Sequence, residues 1–130
     1  METYELDELC RRKKSQCLLL TETADLTKQL AQALERRDQV SSQMLLNMRE
    51  APIQSLREIS EGIENYILSL PEESAIRGHE LLTGSEAEDD REIPLCEEVA
   101  RFRRLLNIAI DLDRAISLKV GGKASIYTKL

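Results

Sequence analysis

The chain has no tryptophan, one histidine and only four aromatic residues, Tyr4, Tyr66, Phe102 and Tyr127, among 130. Strands of sandwiches and barrels favour aromatic and β-branched side chains, so this scarcity argues against an all-β fold. Neither glycine nor proline occurs before Pro52, which leaves the first 51 residues without the strongest breakers of a helix. The three cysteines, Cys10, Cys17 and Cys96, are an odd number without a small-domain framework, which makes a disulfide scaffold a poor reading. Long apolar runs are missing too. The N-terminus opens with Glu2, Glu5, Asp7 and Glu8, and its longest early apolar run is Leu18–Leu20. Neither a signal peptide nor a membrane span is read there, so a reduced, cytoplasmic protein without membrane insertion is expected.

What is present is helical. Ala, Glu, Lys, Leu and Arg make up about half the chain, the share typical of coiled coils and long helices. Apolar residues at 42% and charged ones at 32% do not suit a disordered chain. The formal net charge is −6, so the molecule as a whole would repel a phosphate backbone, and nucleic acid is not an expected partner. The charge is uneven. Residues 1–94 carry 11 basic and 20 acidic groups and residues 95–130 carry 7 and 4; a basic last quarter of this kind either meets an acidic partner surface or, more simply, neutralises the acidic helices beside it.

Hydrophobic spacing predicts the layout. Thr3 suits an N-cap, and Glu5 and Asp7 favour the positive end of the helix dipole. From there one helix over about 3–50, roughly 70 Å long, carries the stripe Leu6, Leu9, Cys17, Leu20, Leu26, Leu30, Leu34, Leu45, with polar lapses at Lys13 and Arg37. A break near Thr21–Asp25 is the alternative. Pro52 should end that helix and open another over 52–70, whose stripe Leu56, Ile59, Ile63, Ile67, Leu70 is the cleanest in the chain. After Pro71 a short extension over 72–82 is expected, stopped by Thr83-Gly84. Ser85–Arg91 reads as an acidic loop, and the last helix should span 95–120, ended by Gly121-Gly122. The expected fold class is therefore all-α: an elongated antiparallel helical hairpin or bundle of three main helices with coiled-coil-like packing. It forms a single domain, 1–120, followed by a flexible C-terminal tail, 121–130.

Residues capable of chemistry are few. His79, between Gly78 and Glu80, reads as a surface or packing residue. Cys10 and Cys17 are two turns apart on one face, the spacing of core positions, and a zinc site would have to reach distant Cys96 and His79. Gly121-Gly122-Lys123-Ala124-Ser125 lacks the glycine and the Ser/Thr that a phosphate loop needs. Asp111, Asp113 and Glu88-Asp89-Asp90 read as solvated charge. No catalytic residue, metal site or cofactor is expected. One feature stands out. Leu105, Leu106, Ile108, Ala109, Ile110 and Leu112 place apolar side chains nearly all round the last helix, which one neighbour cannot cover; either a partner covers the rest or the short helix over 72–82 folds over it. Leu105, Ile108, Leu112 and Ile116 are therefore the expected partner-binding residues, with Ile126 and Tyr127 of the tail closing over a bound helix.

The stretch LLNIAIDLDRAISLKVGGKASIYTKL (Leu105–Leu130) resembles the last helix and short tail of the FlgN-type flagellar export chaperones. LTKQLAQALERRDQVSSQMLL (Leu26–Leu46) is similar to that family's long first helix, while Pro52 and Pro71 depart from its pattern. The resemblance implies a cytoplasmic secretion chaperone that holds hook–filament junction proteins before export, gripping a helical segment of them with its last helix and tail. The alternative is a structural coiled-coil protein that homodimerises through the same surface.

Overall fold

The computed structural model describes residues 1–120, of which 88% lie in helices, with no strand among them. The elements are α1 (Thr3–Glu35), α2 (Gln39–Ser69), α3 (Glu72–Leu82) and α4 (Ile93–Val120), with one 3₁₀ turn at Asp90–Glu92. The all-α expectation holds. The tail, with Ile126 and Tyr127, lies outside the described residues.

The expected helix over 3–50 is corrected. α1 ends at Glu35, and α2 begins at Gln39 and runs through Pro52. The turn is a Schellman motif: the Asp38 N–H donates to the Ala33 carbonyl at 3.0 Å and the Arg37 N–H to the Leu34 carbonyl at 3.1 Å. Arg37 adopts φ 56°, the left-handed conformation usually left to glycine. Asp38 then caps α2 by accepting from the Ser41 N–H at 3.1 Å. The polar lapse at Arg37 is thus the chain reversal itself, and no break occurs at Thr21–Asp25. Pro52 is buried inside α2. Its ring removes the bond to the Met48 carbonyl, yet α2 continues to Ser69.

The expectation for α3 matches the structure residue for residue, and its end repeats the same cap with a glycine. Gly84 at φ 104° donates to Leu81 at 3.2 Å, and Ser85 to Glu80 at 3.0 Å. α4 starts at Ile93, two residues before the expected Leu95, because Pro94 is tolerated in a first turn. The acidic loop is anchored. Arg77 pairs Nε and Nη2 with both carboxylate oxygens of buried Glu92, at 3.0 and 2.7 Å, and also donates to the Glu86 carbonyl.

Three apolar clusters follow one another along α1. Leu6 and Leu9 meet Ile63 and Ile67 of α2, Leu81 of α3, and Leu95 and Val99 of α4. Cys17 and Leu20 meet Leu56, Phe102 and Ala109. Leu26, Leu30 and Ala33 meet Leu45 and Ile116. The rising α1 numbers fall against α2 and rise against α4, so α2 runs antiparallel to α1 and α4 runs parallel to it. α2 thus brings the chain back to the starting end, where Leu81 of α3 and Leu95 of α4 join the same cluster, and α4 leaves in the direction opposite to α2. No described helix is long and apolar enough to cross a membrane.

Candidate partner-binding groove

Between the apolar clusters lie two polar layers, both absent from the sequence expectations. The lower one, between the second and third clusters, joins Arg49 of α2 to Asp113 of α4 at 3.3 Å, both side chains nearly fully buried. Asp113 is therefore not the solvated charge expected of it. Helical spacing on α4 puts it on the face of Ala109 and Ile116, both core residues. Arg49 leaves its Nε without a hydrogen-bond partner.

The upper layer, between the first and second clusters, is built around Lys13, only 8% exposed. Its Nζ donates to Gln16 Oε1 at 2.8 Å; Gln16 Nε2 donates to Ser60 Oγ at 2.7 Å; and Ser60 Oγ donates to the Leu56 carbonyl at 2.9 Å. The Nζ also stands 4.0 Å from the centre of the Phe102 ring, a cation–π contact. Among the described residues no carboxylate lies within ion-pair distance of Lys13. Burial pulls its ammonium down to about 8, with the Arg103 charge adding to the fall and Cys17 opposing it.

This layer is open to solvent on one side. A cleft of about 690 Å³ lies over it, with Lys13 and Gln16 of α1 as floor, Arg57 and Ser60 of α2 on one wall, Phe102 of α4 on the other and His79 of α3 at one end. A second cleft, about 200 Å³, shares Lys13, Leu82 and Phe102 and continues along α4 past Val99, Arg103 and Leu106. Together they form a groove beside α1, in the space that α2 and α4 leave between them.

The predicted partner residues do not form one face. Ile116 is corrected to a core position, 5% exposed in the third cluster. Leu105 packs half-buried against the second cluster, and Leu112 is half-buried. Among the described ones only Ile108 is open, at 54% exposure. Leu106, about 100° round the helix from Leu105, lines the groove instead. The signal that could have found the groove was the lapse at Lys13, a lysine inside an otherwise apolar stripe. A different exposed apolar stripe, Val40, Met44 and Met48, runs at four-residue spacing on the first half of α2.

The thiols offer little reactivity. Cys17 is fully buried in the second cluster while Cys10 and Cys96 are half-buried, and desolvation pushes all three above the ordinary thiol range. Glu88, Asp89 and Asp90 are exposed; Asp89 caps the 3₁₀ turn by accepting from Arg91 and Glu92. No group of three or more metal-ligating side chains occurs among the described residues. No protein-family model, curated protein or solved structure matches this chain.

Proposed function

We propose that this protein acts by binding a helical segment of another protein, as a cytoplasmic export chaperone of the FlgN type, with hook–filament junction proteins as its clients. The observation that carries this reading is the groove over Lys13. In this reading the three long helices pack as a coiled-coil-like bundle with one place vacant. α1 is covered by α2 and α4, and a fourth helix laid between them completes the bundle by helix-in-groove recognition. Phe102, Leu82 and Leu106 supply apolar anchors, while Arg57 and Arg103 flank them. Binding, not catalysis, is the activity that such a surface supports. The resemblance of Leu26–Leu46 and Leu105–Leu130 to the chaperone family selects the client.

The test is calorimetry of the purified chain with recombinant hook–filament junction proteins from the same genome. A one-to-one complex, weakened at least tenfold by Leu106→Glu, is expected; no heat of binding with any of them would end the chaperone reading. The second reading, a homodimerising coiled-coil protein, draws support from the exposed Val40, Met44 and Met48 stripe. Sedimentation equilibrium separates the two: a dimer that Met44→Lys dissociates, together with no client binding, would favour it.

A further inference from the structure

We infer that the groove selects partner helices carrying a carboxylate, which enters at its centre and pairs with Lys13. The inference deepens the binding function proposed above and rests on it. Its grounds are the floor of the groove. A lysine side chain is normally solvated or paired, and burying its charge is costly unless an anion meets it. Here Lys13 is buried and held upright by Gln16 and Phe102. One amide oxygen and one ring face serve a group with three donors. Among the described residues no carboxylate lies near enough to pair with it, although the groove has carboxylates to offer: Glu61 and Glu64 of α2 stand exposed on its rim.

Two arginines favour an incoming anion there, against Glu61 and Glu64 on the α2 rim. Arg57 lines the same cleft from α2, and Arg103 lines the adjoining one from α4. His79 of α3 closes one end. Lys13 is thus fixed before binding by Gln16, which Ser60 orients in turn. A site prepared in this way loses little side-chain freedom when a partner arrives. The carboxylate would meet Lys13 in a place that its own helix seals from water. There a charge-assisted hydrogen bond is stronger than at a surface. An amide in its place leaves the lysine charge buried and unmatched, so the groove discriminates glutamate from glutamine more sharply than an exposed lysine does.

The probe is a pair of synthetic helices of roughly 20 residues, with leucines at heptad spacing and, at the centre of the apolar seam, either one glutamate or one glutamine. Fluorescence anisotropy with the full chain should give binding of the glutamate helix about tenfold or more tighter than that of the glutamine helix. Lys13→Met should remove the difference while leaving the circular dichroism spectrum unchanged, and Lys13→Arg should retain most of it. Arg57→Ala, on the rim, should weaken both helices alike. Equal affinity of the two helices for the unmodified chain overturns the inference, and so does failure of both to bind. Self-association of the chain that Lys13→Met abolishes would seat a second copy in the groove and also overturn it. Failure of hook–filament junction proteins to bind, with the glutamate preference intact, would sink the chaperone reading alone.

Discussion

The two buried polar layers contain the same kind of residue and solve its burial differently. Arg49 meets a carboxylate from the opposite helix, so the layer is closed and serves the fold. Lys13 meets an amide and an aromatic ring, and its layer opens onto a groove. Depth does not separate them, for Arg49 and Lys13 are 5% and 8% exposed. What separates them is the identity of the third corner: α4 contributes Asp113 at one level and Phe102 at the other. A charge satisfied within the chain marks structure, and a charge left for an anion to complete marks a binding site.

The largest expected effect breaks the closed layer. Asp113→Ala leaves the Arg49 guanidinium buried without its carboxylate, which typically costs about 3–5 kcal/mol. Urea unfolding should report this as a lower midpoint with little change in slope. A loss below about 1 kcal/mol would show that Arg49 reaches water in the variant, and the contrast between the layers would collapse.

Pairing also governs a third ionic site, where Arg77 grips Glu92 and so holds the loop between α3 and α4. The Arg77 hydrogen bonds hold the Glu92 carboxyl at about 2, below its ordinary 4.5. Because the folded state binds this proton less readily, the stabilisation is complete above about 4.5 and is lost as pH falls through about 2. Glu92→Gln should therefore cost about 2–3 kcal/mol at neutral pH and nearly nothing in strong acid. A penalty independent of pH would assign the effect to packing alone.

Lys13→Met should act in the opposite direction. Its folded value of about 8 lies below the ordinary 10.5, so the folded state releases this proton first. Stability contributed by this residue rises with pH between those values, and below 8 the chain carries the full penalty of the buried charge. Replacement by methionine keeps the stem and removes the charge, while Gln16 loses a donor and Phe102 a cation. The net gain should be about 1–2 kcal/mol at neutral pH, shrinking as pH rises from 8 to 10.5 when the variant is compared with the unmodified chain. A loss of stability at neutral pH would show Lys13 to be structural and would remove the ground for a site there. A stabilising change that abolishes glutamate preference would establish the contrast between the layers.

Much of the fold was legible because it depends on spacing. The stripe Leu56, Ile63, Ile67 is buried as its period requires, and Gly84 ends α3 as a glycine in left-handed conformation should. Two features were not legible, for one reason: each uses a residue against its preference. Arg37 reverses the chain where glycine would ordinarily stand, so the breaker-free stretch hid a hairpin. Lys13 and Asp113 occupy core positions, so their periodicity places them inside while their chemistry places them outside. Ile116 failed differently. Apolar residues on several faces of α4 point it to a partner, but α1 and α2 already cover that face.

The smallest expected effect tests whether the two layers are independent of the turn that sets their register. Arg37 holds φ at 56°, a conformation that costs an L-residue about 1–2 kcal/mol and glycine almost nothing. Arg37→Gly relieves that strain, but glycine also gives the unfolded chain more freedom, so the net gain should be about 0.5–1 kcal/mol. The turn lies at the far end of α1 from Lys13 and beyond the third cluster from Asp113, with no shared partner. Distant sites add. Arg37→Gly should therefore raise the unfolding midpoint by the same increment in the unmodified chain, in Lys13→Met and in Asp113→Ala. An increment that vanishes in Asp113→Ala alone would mean that the Arg49–Asp113 pair, and not the Schellman turn, holds α2 in register against α1.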